Sequence, residues 1–456
     1  MSLSEMRKLN LQLNPSNSTS TGDYSPSSGL PLIKFDISST DMPTNLDLSQ
    51  LRINGNITYF TGNQPGTPTQ PGAASSSYRD CYSGDLSNVI DHVTISSKKL
   101  SSVIERVNNY SRMVPSIVTG NHGEHEINCQ LWNQGGSCTS NFMARNIIRA
   151  QNGVRGVAGT ANGYGKGFSM PLFCGLLNSD RDLDISVAGT GGLTIEILLK
   201  PNVSVAFGAD AGAAATAVNY KVSNLLLTVP AYELSGQTAA AALSADRVFN
   251  FNSISSIFQT LNSSTSVVSI TPGLSRVSSV FMNAINTNEI GNQLFNSARL
   301  SNMGALREVR FSRNGMLHPL QYRLSGDQQA NSLTAALNGQ TLAGRAMVDV
   351  SYLEGISTNP IGNTGRTMLA YNTINSGIKN RGQTVNSSGD DVGTVSGTAI
   401  LFDAYGSGEN FQQTTFSVDF NNQTIDGTQA TTMGLYMYFL SQNTLVMSPQ
   451  GLSVVK

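Results

Sequence analysis

The chain has 456 residues and a mass of 48.4 kDa, with 28 Lys and Arg against 29 Asp and Glu and a net charge of −1. Only 12% of residues are charged, about half the roughly 25% of an ordinary soluble domain, so the polarity comes from Ser, Thr, Asn, Gln and 44 Gly. This balance excludes charge-driven disorder, a coiled coil and a basic nucleic-acid-binding arm, and no run of about 18 apolar residues offers a membrane-spanning helix.

At this length two large β domains are expected, each big enough to bury a core without disulfides. The opening residues, MSLSEMRKLNLQLNPSNS, lack the apolar stretch of a secretory leader. The cysteines Cys81, Cys129, Cys138 and Cys174 are too sparse for a disulfide framework and are expected as thiols in a reducing compartment.

In chain order, Asn14 to Gly29 and Thr61 to Ser77 are rich in Pro, Gly, Ser and Thr and read as loops. Between them LIKFDI and LRINGNITYF read as short strands. LSNVIDHVTISS alternates as a strand, with Val89, Asp91, Val93 and Ile95 on one face and Ile90, His92 and Thr94 on the other; Asp91 is a charged exception. KKLSSVIERVNNYSRMV reads as a helix, because Leu100, Val103, Ile104, Val107 and Tyr110 recur at spacings of three and four. Pro115 ends it.

Beyond this point short strands dominate: GLTIEILL, with Leu193, Ile195, Ile197 and Leu199 on one face, then NYKVSNLLLTV, REVRFSRNG, GTAILFDAY, TTFSVDF and GLYMYFLSQNTLVMS. In TTFSVDF, Phe416, Val418 and Phe420 alternate with polar neighbours. In GLYMYFL both faces are apolar, which predicts a strand buried on both sides. Many strands separated by Gly, Asn, Ser and Pro turns favour a sandwich or barrel. An Ala/Gly-rich loop spans Gly208 to Ala217, and a second, Ser235 to Ala245, marks the expected domain boundary. No sequence repeat relates the halves.

Four segments, in order, carry a resemblance. The first is Gly84 to Val114, with Ile90-Asp91-His92-Val93 followed by Ile104-Glu105-Arg106-Val107 and Asn109-Tyr110. The second is Gly167 to Asn202 (GFSMPLFCGLLNSDRDLDISVAGTGGLTIEILLKPN), the third Asn219 to Leu234 (NYKVSNLLLTVPAYEL), and the fourth Gly434 to Val455 (GLYMYFLSQNTLVMSPQGLSVV). FNSISSIFQTLNSSTSVVSI and SRVSSVFMNAI add matches in the second half. Together these resemble the double jelly-roll major capsid proteins of polinton-like viruses and virophages. His92 departs from the Arg or Lys more usual there.

The resemblance implies an all-β fold of two consecutive eight-stranded jelly-roll sandwiches with long loops and few short helices. It divides the chain into an N-terminal arm (1–29), a first roll (30–240) and a second roll (241–456). It implies a structural protein of a DNA virus and no enzyme: a homotrimer forming a pseudo-hexameric capsomer that tiles an icosahedral shell in the virion, with penton and minor capsid proteins as partners. A jelly roll leaves loops at one end that tolerate Gly/Ala/Ser/Thr-rich insertions. A closed threefold ring needs heterologous interfaces that close by rotation, and near-neutral copies pack edge to edge without repulsion. With Arg7 and Lys8 as the cations of the arm, genome binding by counterion release is expected to be weak.

The chemistry-bearing residues form few patterns. His122, His125, Cys129 and Cys138 supply a His₂Cys₂ set, with Glu124 and Glu126 beside them. Their spacing is no common zinc signature, and the order His-Gly-Glu-His-Glu lacks the H-E-x-x-H motif; the plainer reading is a polar loop, and no metal or cofactor is expected. GYGKG (Gly163 to Gly167) lacks the phosphate-loop spacing and reads as a plain loop. No G-x-S-x-G elbow is present, and His318 before Pro319 reads as a turn residue. The seven N-x-S/T sequons, at Asn17, Asn56, Asn109, Asn202, Asn262, Asn386 and Asn422, are what chance gives in such a composition. Trp132, the only tryptophan, reads as a loop anchor, on the core in preference to a neighbouring subunit. Two other classes fit these residues less well. A lectin or adhesin sandwich usually carries a secretion signal and exposed aromatics, and a glycosidase needs a carboxylate pair that the scattered acids do not nominate.

Overall fold

The computed structural model describes residues 7–26, 30–38, 44–61, 86–114, 164–177, 183–184, 191–201, 218–233, 247–261, 265–287, 308–318, 398–401, 408–421 and 433–455. The first half contributes β1 (Arg7–Leu13), β2 (Asp23–Tyr24), β3 (Leu32–Ile37), β4 (Thr44–Leu46), β5 (Arg52–Thr61), β6 (Ile90–Ser97), β7 (Val103–Val107), β8 (Tyr164–Met170), β9 (Leu183–Asp184), β10 (Leu193–Leu199) and β11 (Val218–Glu233). A short helix, α1 (Tyr110–Met113), follows β7. The second half contributes β12 (Arg247–Leu261), β13 (Thr265–Ile270), β14 (Val277–Asn286), β15 (Glu308–Arg313), β16 (Met316–His318), β17 (Thr398–Leu401), β18 (Phe416–Asn421), β19 (Met433–Ser448) and β20 (Gly451–Val455).

The strands form four antiparallel sheets, two per half. In the first half β11 is flanked on one side by β1 and β2 and on the other by β5 and β4, which in turn pair with β8 and β9. Counting β1/β2, β4/β5 and β8/β9 as one position each, this sheet has the order 1-8-3-6. The facing sheet, β3-β10-β6-β7, has the order 2-7-4-5. In the second half β12-β19-β14-β17 and β13-β18-β15-β16 repeat both orders. Eight strand positions in this order, twice over, define two successive jelly rolls. The fold is therefore all-β, as the residues imply.

Residues 7–13 and 23–24, expected in an N-terminal arm, lie in the outer strand position of the first roll. Arg7 to Leu13 pair in register with Glu233 to Leu227.

Alternation explains most strands. Ile33, Phe35 and Ile37 of β3 and Leu193, Ile195, Ile197 and Leu199 of β10 are buried, and β10 pairs with both β3 and β6. Phe416 and Val418 of β18 are buried in the second roll, where Phe416 meets Phe411 and Phe439 edge to face. β19 is buried on both faces over Gly434–Leu440, because each face has a different core. Leu435, Met437 and Phe439 join the cluster inside the second roll. Tyr436, Tyr438 and Leu440, with Phe281 of β14 and Ile254 of β12, join the cluster that fills the first roll. The two rolls thus share one continuous apolar seam.

The helix expected over residues 98–114 is corrected to a strand, a left-handed residue and a single helical turn. Ser97 to Ser102 form the tip of a β6–β7 hairpin, and Ser101 takes a positive φ of 53°. In the β6–β7 ladder the register shifts, with Ile95 opposite Glu105 and Ser96 opposite Val103. Ile104 is the extra residue of a β-bulge. The bulge turns Ile104 and Glu105 both inward and leaves Val103 and Arg106 outward, so buried positions recur at intervals that imitate a helical face. A second bulge lies in β6. His92 sits opposite Leu198 and Ile90 opposite Leu199, so Asp91 is the unpaired residue, and the charged exception in the alternation turns outward.

Two further readings change. GYGKG is not a loop: Gly165, Lys166 and Gly167 lie inside β8, paired with Thr58, Ile57 and Asn56. Their backbone belongs to a ladder and offers no phosphate cradle. His318 closes β16 opposite Phe311. The turn itself is Asn314–Gly315, both at positive φ, a turn chemistry suited to a two-residue hairpin.

Candidate functional site: the junction between the rolls

β12 ends its sheet, so its outer edge presents backbone groups without a strand partner among the described residues. The first roll meets that edge around Asn252 and Ile254. The bulge in β7 aims Glu105 at it, and the carboxylate collects three backbone donors. Oε1 accepts from Gly175 N at 3.0 Å and from Ile254 N at 2.9 Å, and Oε2 accepts from Leu176 N at 2.9 Å. Two donors come from the first roll's own segment after β8 and one from the second roll's edge. With its donor taken, the edge at Ile254 cannot pair with a foreign strand.

Glu105 is 2% exposed and forms no ion pair among the described residues. Burial pushes its carboxyl up to about 7, while the bonds from Leu176, Ile254 and Gly175 and the Ser253 hydroxyl pull it back. Cys174, beside it, is a buried thiol raised by burial and by the Glu105 charge.

Gly175 is required at the same place. A Cβ there would overlap the Asn252 carbonyl of β12 and stand 2.9 Å from Glu105 Oε1. The hairpin tip of the first roll makes a second line of contact. Leu452 N donates to Ser97 Oγ at 3.2 Å, Ser102 Oγ to Leu452 O at 3.2 Å, and Lys99 Nζ to Pro449 O at 2.6 Å. Gly451, at φ 137°, leaves room for Leu100, which a Cβ would strike. In the third contact, Tyr438 Oη donates to the Asn109 carbonyl at 3.2 Å. Asn109 takes the left-handed conformation at φ 51°, which Asn tolerates better than most residues. That kink starts α1 directly beneath β19.

α1 roots this junction in the first roll. Phe173 N donates to Tyr110 Oη at 2.7 Å. Arg112 is 6% exposed. Lys200 Nζ donates to Ser111 Oγ, and Tyr220 Oη donates to Lys200 O. Burial, then the nearby Arg112 charge, lowers the Lys200 ammonium to about 7, with Asp91 opposing. On the outer side His92 Nδ1 meets Asp91 Oδ2 at 2.9 Å, and Arg106 reaches its Nε2 at 3.5 Å.

His122, His125, Cys129, Cys138, Glu124, Glu126 and Trp132 lie outside the described residues, as do Cys81 and the two Ala/Gly-rich loops. Among the described residues no cluster of three or more metal-ligating side chains occurs, and no helix is long and apolar enough to cross a membrane. Asn17, in the first sequon, is engaged in the fold: its side chain donates to Leu32 O at 2.8 Å and accepts from Lys34 N at 2.9 Å. The helix expected over residues 98–114 takes in Glu105, whose one signal in the sequence is a carboxylate amid Val103, Ile104 and Val107 in a chain with few charges.

No family model and no curated protein matches the sequence. Solved structures do match. A chain of the PBCV-1 virus capsid is 10% identical with a TM-score of 0.55, over 99% of this chain and 97% of that one. A chain of the Sputnik virophage is 11% identical with a TM-score of 0.53, over 98% and 88%. The Faustovirus major capsid protein is 9% identical with a TM-score of 0.55, over 97% and 91%. The strand order and these matches define one class: the chain has the double jelly-roll fold. It is the fold of the Faustovirus major capsid protein, spanned nearly end to end.

Proposed function

We propose that this chain is a major capsid protein: a structural, non-enzymatic protein of the virion that assembles with copies of itself. The observation that carries the proposal is the repeated strand order, with the two rolls locked by a buried junction into one body. Three such bodies around a threefold axis present six similar rolls, which suits a pseudo-hexameric capsomer and tiling of an icosahedral shell. The likeness to a virus capsid chain and a major capsid protein over nearly the whole length supports the same reading. Within it, the rolls divide near residue 240, between β11 and β12, and the segment before residue 30 lends its strands to the first roll. Penton and minor capsid proteins are the partners this role calls for.

Light scattering on the purified protein tests the proposal. A mass of three times 48.4 kDa, or of larger shells, supports it. A monomer that persists at high concentration overturns it.

A further inference from the structure

The first roll reaches the second with the tip of a hairpin. β6 and β7, its fourth and fifth strand positions, end in the tip Ser97–Ser102, which Ser97 N closes by donating to Ser102 O at 2.9 Å. This tip stands on the turn between β19 and β20. Ser97, Lys99 and Ser102 bond to Leu452 and Pro449, and a Cβ on Gly451 would come within 2.6 Å of Leu100 Cγ.

The second roll carries the same device. Its fourth and fifth positions are β15 and β16, joined across the turn by the pair Arg313 and Met316. This tip is held firmly from its own roll. Asn314 N donates to Thr415 O at 2.9 Å, and Thr415 N to Asn314 Oδ1 at 3.0 Å. Arg313 pairs with Glu409, donates to Asn410 O at 3.2 Å and lies 5.5 Å from the centre of the Phe411 ring. Met316, first residue past the turn, is 69% exposed, more than any other large apolar side chain among the described residues. An exposed methionine alone is ordinary; this one crowns a braced tip whose counterpart is a docking element, and a tip already fixed loses little entropy on docking.

We propose that the β15–β16 tip seats on the first roll of a second copy of this chain, at the end of β11 beside β4. That place corresponds to the seat of the first tip. β11 and β19 both hold the eighth strand position. β20 pairs with the end of β19, from Thr444 opposite Val455 to Ser448 opposite Gly451. β4 pairs with the end of β11 in the same way, from Ala231 opposite Leu46 to Glu233 opposite Thr44, and both lie on the side away from the first strand position. Within the chain the contact leads from first roll to second; between chains it leads from second roll to the next first roll. A contact repeated head to tail closes a ring when its rotation closes. Ring formation by copies of this chain is the capsid reading above, on which this contact rests.

Two variants of the full chain test it. Met316→Asp places a charge at the seat, and far-UV circular dichroism checks that this exposed substitution leaves the fold intact. In sedimentation velocity over a dilution series it should weaken chain-to-chain association about tenfold or more. Met316→Cys combined with Thr44→Cys, treated with a short bifunctional maleimide, should give covalently joined chains up to the trimer, which neither single variant gives alongside the native cysteines. Wild type that assembles while Met316→Asp assembles equally well, or a double variant without that product, overturns the contact and leaves the capsid reading standing. Wild type that stays monomeric overturns that reading and the contact with it.

Discussion

Gly175→Ala places one methyl group between the rolls. Gly175 does not have a positive φ, so alanine meets no backbone strain there, and in open space the change would stabilise by about 0.4–1 kcal/mol. Here the new Cβ overlaps the Asn252 carbonyl, which is backbone and cannot rotate away. Nor can β12 retreat alone, because it pairs with β19 from Arg247 to Leu261. The rolls must separate at this point. Overpacking of this kind costs about 1–3 kcal/mol. Separation also stretches the 2.9 Å bond from Ile254 to Glu105, and a hydrogen bond to a charged group contributes about 1.5–3 kcal/mol. The sum is a loss of about 2.5–6 kcal/mol. Urea unfolding with a junction probe and a far-UV signal reads it. Gly273→Ala is the control, since a Cβ there meets nothing within 4 Å and only its positive φ costs about 1–2 kcal/mol. A Gly175→Ala protein as stable as wild type would refute the packing of the two rolls described above.

Tyr438→Phe removes the donor to the Asn109 carbonyl and should lower stability by about 1 kcal/mol in the same assay, with no change in strand content. Lys200→Met tests the second buried charge. Its folded value of about 7 lies below the ordinary 10.5, so wild-type stability should rise as the pH climbs from about 7 toward 10.5. The methionine variant should lack that rise in a pH series of thermal melts.

What the sequence makes legible is local alternation. Leu193, Ile195, Ile197 and Leu199 declare the inward face of β10, and the unbroken apolar run in GLYMYFL declares a strand between two cores. Two kinds of information are hidden. A β-bulge shifts the alternation by one, and in VIERV the shifted pattern matches the spacing of a helix face; only the pairing of Ile95 with Glu105 resolves it. The duplication is equally invisible, because the shared strand order arises from distant pairings such as Phe251 with Asn443, while the residues that fill each position differ. The junction is hidden for the same reason. Glu105, Gly175 and Ile254 lie far apart in the chain and meet only once both rolls exist. The low charge now has a local meaning: apart from the exposed Lys99 and a few buried ionisable groups, the junction is held by Ser, Tyr and backbone groups, which can be buried without the cost of desolvating an ion.

The most direct test of the central claim is electron microscopy of the purified protein, with two-dimensional averages of single particles. The account predicts a ring of three chains with a six-lobed outline, two lobes for the two rolls of each chain. Isolated two-lobed particles at every concentration, or rings of any other number of chains, would contradict it.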